Sequence, residues 1–90
     1  MDANNLRQRF GRFSIREEML IACPDQVLAL LKDMIIVRAE FMFDTRSIEY
    51  VGMHATFDVV PEGVMAPAYI AIITLTPDFT YKVEWQRGAA

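Results

Sequence analysis

Residues 34–57 constrain this chain most. They read Met-Ile-Ile-Val-Arg-Ala-Glu-Phe-Met-Phe, then the polar break Asp-Thr-Arg-Ser, then Ile-Glu-Tyr-Val-Gly-Met-His-Ala-Thr-Phe. Two β-rich runs around a short polar break specify a hairpin. With the turn at residues 44–47, Glu40 falls beside Val51, Arg38 beside Met53 and Glu49 near Met42. Glu40 and Glu49 are then not a facing pair, which leaves a hydrolytic carboxylate dyad without support. Side chains alternate between faces along a strand. Ile35, Val37, Ala39, Phe41 and Phe43 therefore form one apolar row, with Arg38 and Glu40 on the opposite face. In the second run, Val51, Met53, Ala55 and Phe57 form the apolar row, and Tyr50, Gly52, His54 and Thr56 the mixed one.

The rest of the chain builds an α+β fold around this hairpin. Pro24 suits the first turn of a helix, where its missing N–H would have no partner anyway. Val27, Leu28, Leu30, Leu31 and Met34 follow at helical spacing, which predicts a helix over 24–33. Ser14 and Glu17 have the spacing of a capping box and predict a further helix over 15–22, with a short strand as the competing reading. Leu20, Pro24, Val27, Leu31 and Met34 continue one stripe, so the two segments also fit a single kinked helix. Pro61-Glu62-Gly63 marks a turn. Residues 68–76 are apolar on both faces and predict a central strand. Residues 76–79 form the next turn, and Tyr81, Val83 and Trp85 alternate with Lys82, Glu84 and Gln86 as a half-buried edge strand. The expected architecture is an N-terminal helical half packed on a four-stranded antiparallel meander.

Composition bears on assembly and on partners. Of the 90 residues, 53% are hydrophobic. A domain this small buries only roughly 60–65% of its unfolded surface, so the surplus favours a homo-oligomer. Net charge is −3, which disfavours a whole-surface nucleic-acid binder. The charge is uneven, though. Residues 1–16 carry Arg7, Arg9, Arg12 and Arg16 against Asp2 alone, while residues 17–90 carry five basic and eleven acidic side chains. Residues 1–13 thus read as a basic arm with Gly11 as its joint and Phe10 and Phe13 as anchors, ahead of one domain over 14–90. Such an arm grips an anion or docks on a neighbouring subunit. Its arginines and aromatics also fit single-stranded nucleic acid, a possible but less favoured partner. Cys23 is the only cysteine, which excludes an intrachain disulfide and suits a reducing compartment. With no signal peptide and no apolar run near the ~20 residues that span a bilayer, a cytoplasmic protein without a membrane partner is expected.

Residues 48–69, Ile-Glu-Tyr-Val-Gly-Met-His-Ala-Thr-Phe-Asp-Val-Val-Pro-Glu-Gly-Val-Met-Ala-Pro-Ala-Tyr, resemble segments of small bacteriophage accessory proteins. The shared layout is an aromatic strand, Phe-Asp-x-Val-Pro-Glu-Gly, and Pro-x-Tyr opening another strand. The resemblance implies a phage-encoded, non-enzymatic protein that blocks a host defence. It carries no catalytic motif and no site residue.

Chemistry-bearing residues are few. His54 is the only histidine, and general base catalysis needs a second group to orient it. Cys23 precedes a helix start, but a buried structural thiol is favoured, because free cysteine is commonly buried and catalysis would need a positioned base, for which His54 is the only imidazole. One His and one Cys do not make a structural zinc site. No metal, cofactor or catalytic set is expected. Arg38, Glu40, Tyr50 and His54 form the one polar-aromatic group on the sheet, and this combination suits either a nucleotide or a subunit interface. The contact residues expected from the sequence are Arg12, Arg16, Arg38, Tyr50 and His54. The function they suggest is non-enzymatic binding: occlusion of a host protein, or sequestration of a small anionic, nucleotide-type ligand.

Overall fold

In the computed structural model, which describes residues 8–88, five strands and two helices follow one another as β1 (Phe10–Arg16), α1 (Glu17–Ala22), α2 (Pro24–Leu31), β2 (Ile35–Met42), β3 (Ser47–Met53), β4 (Tyr69–Leu75) and β5 (Tyr81–Arg87). The fold is α+β, but the strands make two antiparallel sheets rather than one meander. One has the order β1-β3-β2 and the other pairs β4 with β5.

The difference begins at residues 10–16. Gly11, Phe13 and Ile15 are buried while Ser14 and Arg16 are exposed, so the segment keeps the two-residue period of a strand and pairs along its whole length with β3. Ser14 is therefore a strand residue and caps nothing. The helix starts only at Glu17, behind Arg16, which makes no side-chain cap. Instead, the Glu17 amide donates to the Arg46 carbonyl at 2.9 Å, and the Glu17 carboxylate meets the Arg46 guanidinium at 2.8 Å. Both readings of residues 15–22 hold in part: strand to Arg16, then helix. Residues 10–13, read from the sequence as arm, lie in β1.

α2 starts at Pro24 and buries Val27 and Leu30 against the core. Cys23, half-buried, separates it from α1. The helix ends at Leu31, short of the expected Asp33, which itself adopts φ 60°.

The β2–β3 hairpin closes one residue earlier than expected. Met42 pairs with Ser47, and residues 43–46 form the turn, with Arg46 at φ 53°. Moving the turn by one residue at each end moves every pair from Met42 to Arg38 by two. Arg38 therefore faces Val51, and Glu40 faces Glu49. Ser47 is held inside, 5% exposed, with its hydroxyl 2.7 Å from that of Thr45. A bulge at Val37 interrupts the ladder.

The face assignment of β3 is inverted as well. Tyr50 and Gly52 point into the core, and Val51 points outward. Phe13 stacks on Tyr50 at 5.2 Å and meets Trp85 at 5.0 Å, while Phe57 stacks on Tyr69 at 4.3 Å and meets Trp85 at 5.2 Å. This aromatic cluster joins the two sheets. Burying a ring such as Phe57, fully enclosed, stabilises the fold by roughly 2–3 kcal/mol.

β4 is not a central strand of one sheet. It pairs with β5 on one side, and its junction with the preceding loop meets β1 through a single parallel bridge between Arg12 and Ala68. Its outer face leaves Ile70 and Ile72 exposed. β5 has the expected alternation, with Tyr81, Val83 and Trp85 half-buried. Among the described residues, no helix is long and apolar enough to cross a membrane.

Candidate functional site

The outer face of the three-stranded sheet carries the site. Arg12 of β1 and Arg38 of β2 are both in register with Val51 of β3, one on each side. The loop between β3 and β4 folds over this face, bringing Val60, Pro61, Glu62, Gly63, Val64, Met65 and Ala66 to a cleft of about 530 Å³. Phe10, Val51, Val64 and Met65 supply its apolar wall, and Arg12, Arg38, Glu49 and Glu62 its charges. The volume lies within the range of small-molecule sites.

The loop is tied down by the arginines of the N-terminal segment. Arg12 Nε donates to the Ala66 carbonyl at 2.7 Å, and the Arg12 amide donates to the Pro67 carbonyl at 2.8 Å. Arg9 Nη1 donates to the Phe57 carbonyl at 2.9 Å, and the Val60 amide donates to the Gln8 carbonyl at 2.7 Å. Proline lacks an N–H but keeps its carbonyl, so Pro67 can end the loop and still hold β1. Arg9 and Arg12 thus act as rivets, with Arg12 also bordering the cleft. Arg7 lies outside the described residues.

Arg38 donates from Nη2 to Glu40 Oε2 at 2.6 Å. That hydrogen bond and the Glu40 charge raise the guanidinium pKa, and Glu49 adds to the effect. Glu40 and Glu49 face each other across the ladder, contrary to the arrangement expected from the sequence. Like charges in facing positions repel, and the Arg38 partner offsets this on the Glu40 side.

The other expected contact residues lie elsewhere. Arg16, at the end of β1, is exposed and pairs with Glu18 at 3.2 Å. Tyr50 is buried beneath the opposite face of the sheet, stacked on Phe13, and burial pushes its phenol pKa up. His54 follows β3 with its ring 5.3 Å from that of Phe57 and 6.2 Å from that of Trp85. Its Nδ1 accepts from the Thr56 amide at 3.2 Å and lies 2.8 Å from the Thr56 hydroxyl. An Nδ1 that accepts an amide proton belongs to a neutral ring protonated on Nε2. Desolvation lowers the His54 pKa, with the Asp33 charge opposing. The structure therefore brings Arg12 and Arg38 together and separates them from Tyr50 and His54.

Val51, Phe10, Glu49 and the 60–66 loop escaped the sequence-based site. The signal for them was the alternation of residues 10–16: read as a strand, it places Arg12 outward beside β3. Among the described residues, no three His, Cys, Asp or Glu side chains are grouped to hold a metal ion. Comparison of the chain with protein-family models, curated proteins and solved structures finds no match.

Proposed function

We propose that this chain is a non-enzymatic, self-associating binding protein, of the kind bacteriophages encode against host defences, that sequesters a small anionic ligand of nucleotide type in the Arg12–Arg38 cleft. The observation that supports this is the placement of two guanidinium groups on either side of Val51, beneath an apolar loop. Guanidinium groups suit phosphate through paired N–H donors. The apolar wall suits a base or sugar face. Glu49 and Glu62 in the same cleft disfavour a polyphosphate and favour a ligand of low negative charge, such as a nucleoside monophosphate. Arg9 is tied through Nη1 to the Phe57 carbonyl, which weakens the alternative of an arm gripping nucleic acid, whereas Arg12 gives only its Nε to the Ala66 carbonyl and lines the cleft.

Calorimetric titration with nucleoside monophosphates, and with inorganic phosphate as the minimal anion, tests the proposal. Nucleotide binding that weakens at least tenfold in Arg38→Ala, with the far-UV circular dichroism unchanged, is the expected result. Absence of binding across the panel, or binding indifferent to Arg38→Ala, overturns it.

A further inference from the structure

The open edge of β2 points to a second copy of this chain. Among the described residues, β2 pairs only with β3, so the outer row of its backbone groups lacks a strand partner. Natural proteins blunt such edges with proline, charged side chains, bulges, short strands or a covering element. Of these, β2 carries one bulge at Val37, near one end, and the oppositely charged Arg38 and Glu40. β2 has no proline, and all its residues but Met42 are exposed. Ile35, Val37, Phe41 and the adjoining Phe43 are 49%, 54%, 40% and 80% exposed.

We infer that β2 pairs antiparallel with β2 of a second copy about a two-fold axis at Ala39, joining two three-stranded sheets into one six-stranded sheet. Charge separates the three registers centred on Arg38, Ala39 and Glu40. Slipping a strand by one residue sets outward side chains against inward ones, so only axes centred on a residue join like face to like face. An axis at Arg38 opposes Arg38 to its own copy, and an axis at Glu40 does the same for Glu40. The axis at Ala39 opposes Arg38 to the other copy's Glu40, twice by symmetry, as a two-fold interface requires. The regular ladder between the bulge at Val37 and Met42 contains these central pairs. Phe41 and Phe43 of one copy then approach the Ile35–Val37 end of the other, which covers the exposed apolar groups. Both clefts come to lie on the same face of the joined sheet.

β5 repeats the charge spacing with Lys82 and Glu84, 3.0 Å apart. Its Tyr81, Val83 and Trp85 are already half-buried against the rest of the chain, so of these two charge-spaced strands β2 is the one with apolar surface left to cover. β4 also exposes Ile70 and Ile72 but has no charged residue to set a register. The inference names the surface for the self-association proposed above and needs no ligand.

Sedimentation velocity over a dilution series tests it with Arg38→Glu and Glu40→Arg, both at side chains more than half exposed. Each substitution opposes like charges at both symmetric pairs, and the dimer is expected to weaken about tenfold or more. An equimolar mixture of the two variants restores opposite charges at every facing position and should recover the dimer. The double variant Arg38→Glu/Glu40→Arg should dimerise alone, and Lys82→Glu should leave the dimer intact. A monomeric natural chain overturns both the surface and the self-association. A dimer that ignores the β2 substitutions, a mixture that fails to recover, or a dimer lost in Lys82→Glu overturns the surface alone.

Discussion

Arg12 and Arg38 oppose the same residue, Val51, from the two strands that flank β3. Their environments differ. Arg12 is half-buried and held by the Ala66 carbonyl, whereas Arg38 is exposed and held by Glu40. One is built into the wall of the cleft and the other stands at its mouth.

Arg12→Lys keeps the charge but not the planar donor aimed at Ala66. Loss of a hydrogen bond worth about 1 kcal/mol should loosen residues 60–66 while the core stays intact. Hydrogen exchange should quicken several-fold at the Val64 amide, with little change in β3. Unchanged exchange would show that the bond does not hold the loop.

Gly11 has no room for a side chain. A Cβ there would lie 2.7 Å from the rings of Phe57 and Tyr69. Gly11→Ala should therefore destabilise the domain by roughly 1–3 kcal/mol through overpacking, read as a lower denaturant midpoint. A midpoint equal to that of the natural chain would contradict the tight seat of β1 on the aromatic cluster.

His54 titrates below its ordinary value because it is desolvated. The unfolded chain then takes up the proton at higher pH than the folded one. Stability is fully present above about 6.5, the unfolded value, and declines as pH falls towards the lower folded value. His54→Gln should flatten this part of the profile in urea unfolding. A profile unchanged by the substitution would assign the decline to other groups.

Glu49 faces Glu40 and borders the cleft. Glu49→Gln should raise stability by up to about 0.5 kcal/mol by removing a facing repulsion, and should tighten binding of a nucleoside monophosphate. Weaker nucleotide binding in this variant would instead mark the carboxylate as a ligand contact.

The sequence by itself determined the elements whose causes are local. Pro24 and the spacing of Val27, Leu30 and Leu31 start and orient α2, the polar break after Phe43 separates β2 from β3, and Tyr81, Val83 and Trp85 set the inward face of β5. Each signal is complete within a few neighbouring residues. Tertiary structure decided which strand sits beside β3, which face of β3 is inward, and hence where the cleft lies. The Ser14–Glu17 spacing imitates a helix cap, and only pairing with β3 and the packing of Phe13 on Tyr50 and Trp85 show that residues 10–16 are a strand. Register is equally non-local in its effect, because moving the turn by one residue brought Glu40 opposite Glu49. Once β1 takes the place beside β3, β4 is left to pair with β5 and the intervening loop must cross the outer face. The physical reason is that strand order depends on contacts between distant segments, for which no short stretch of sequence carries the pattern.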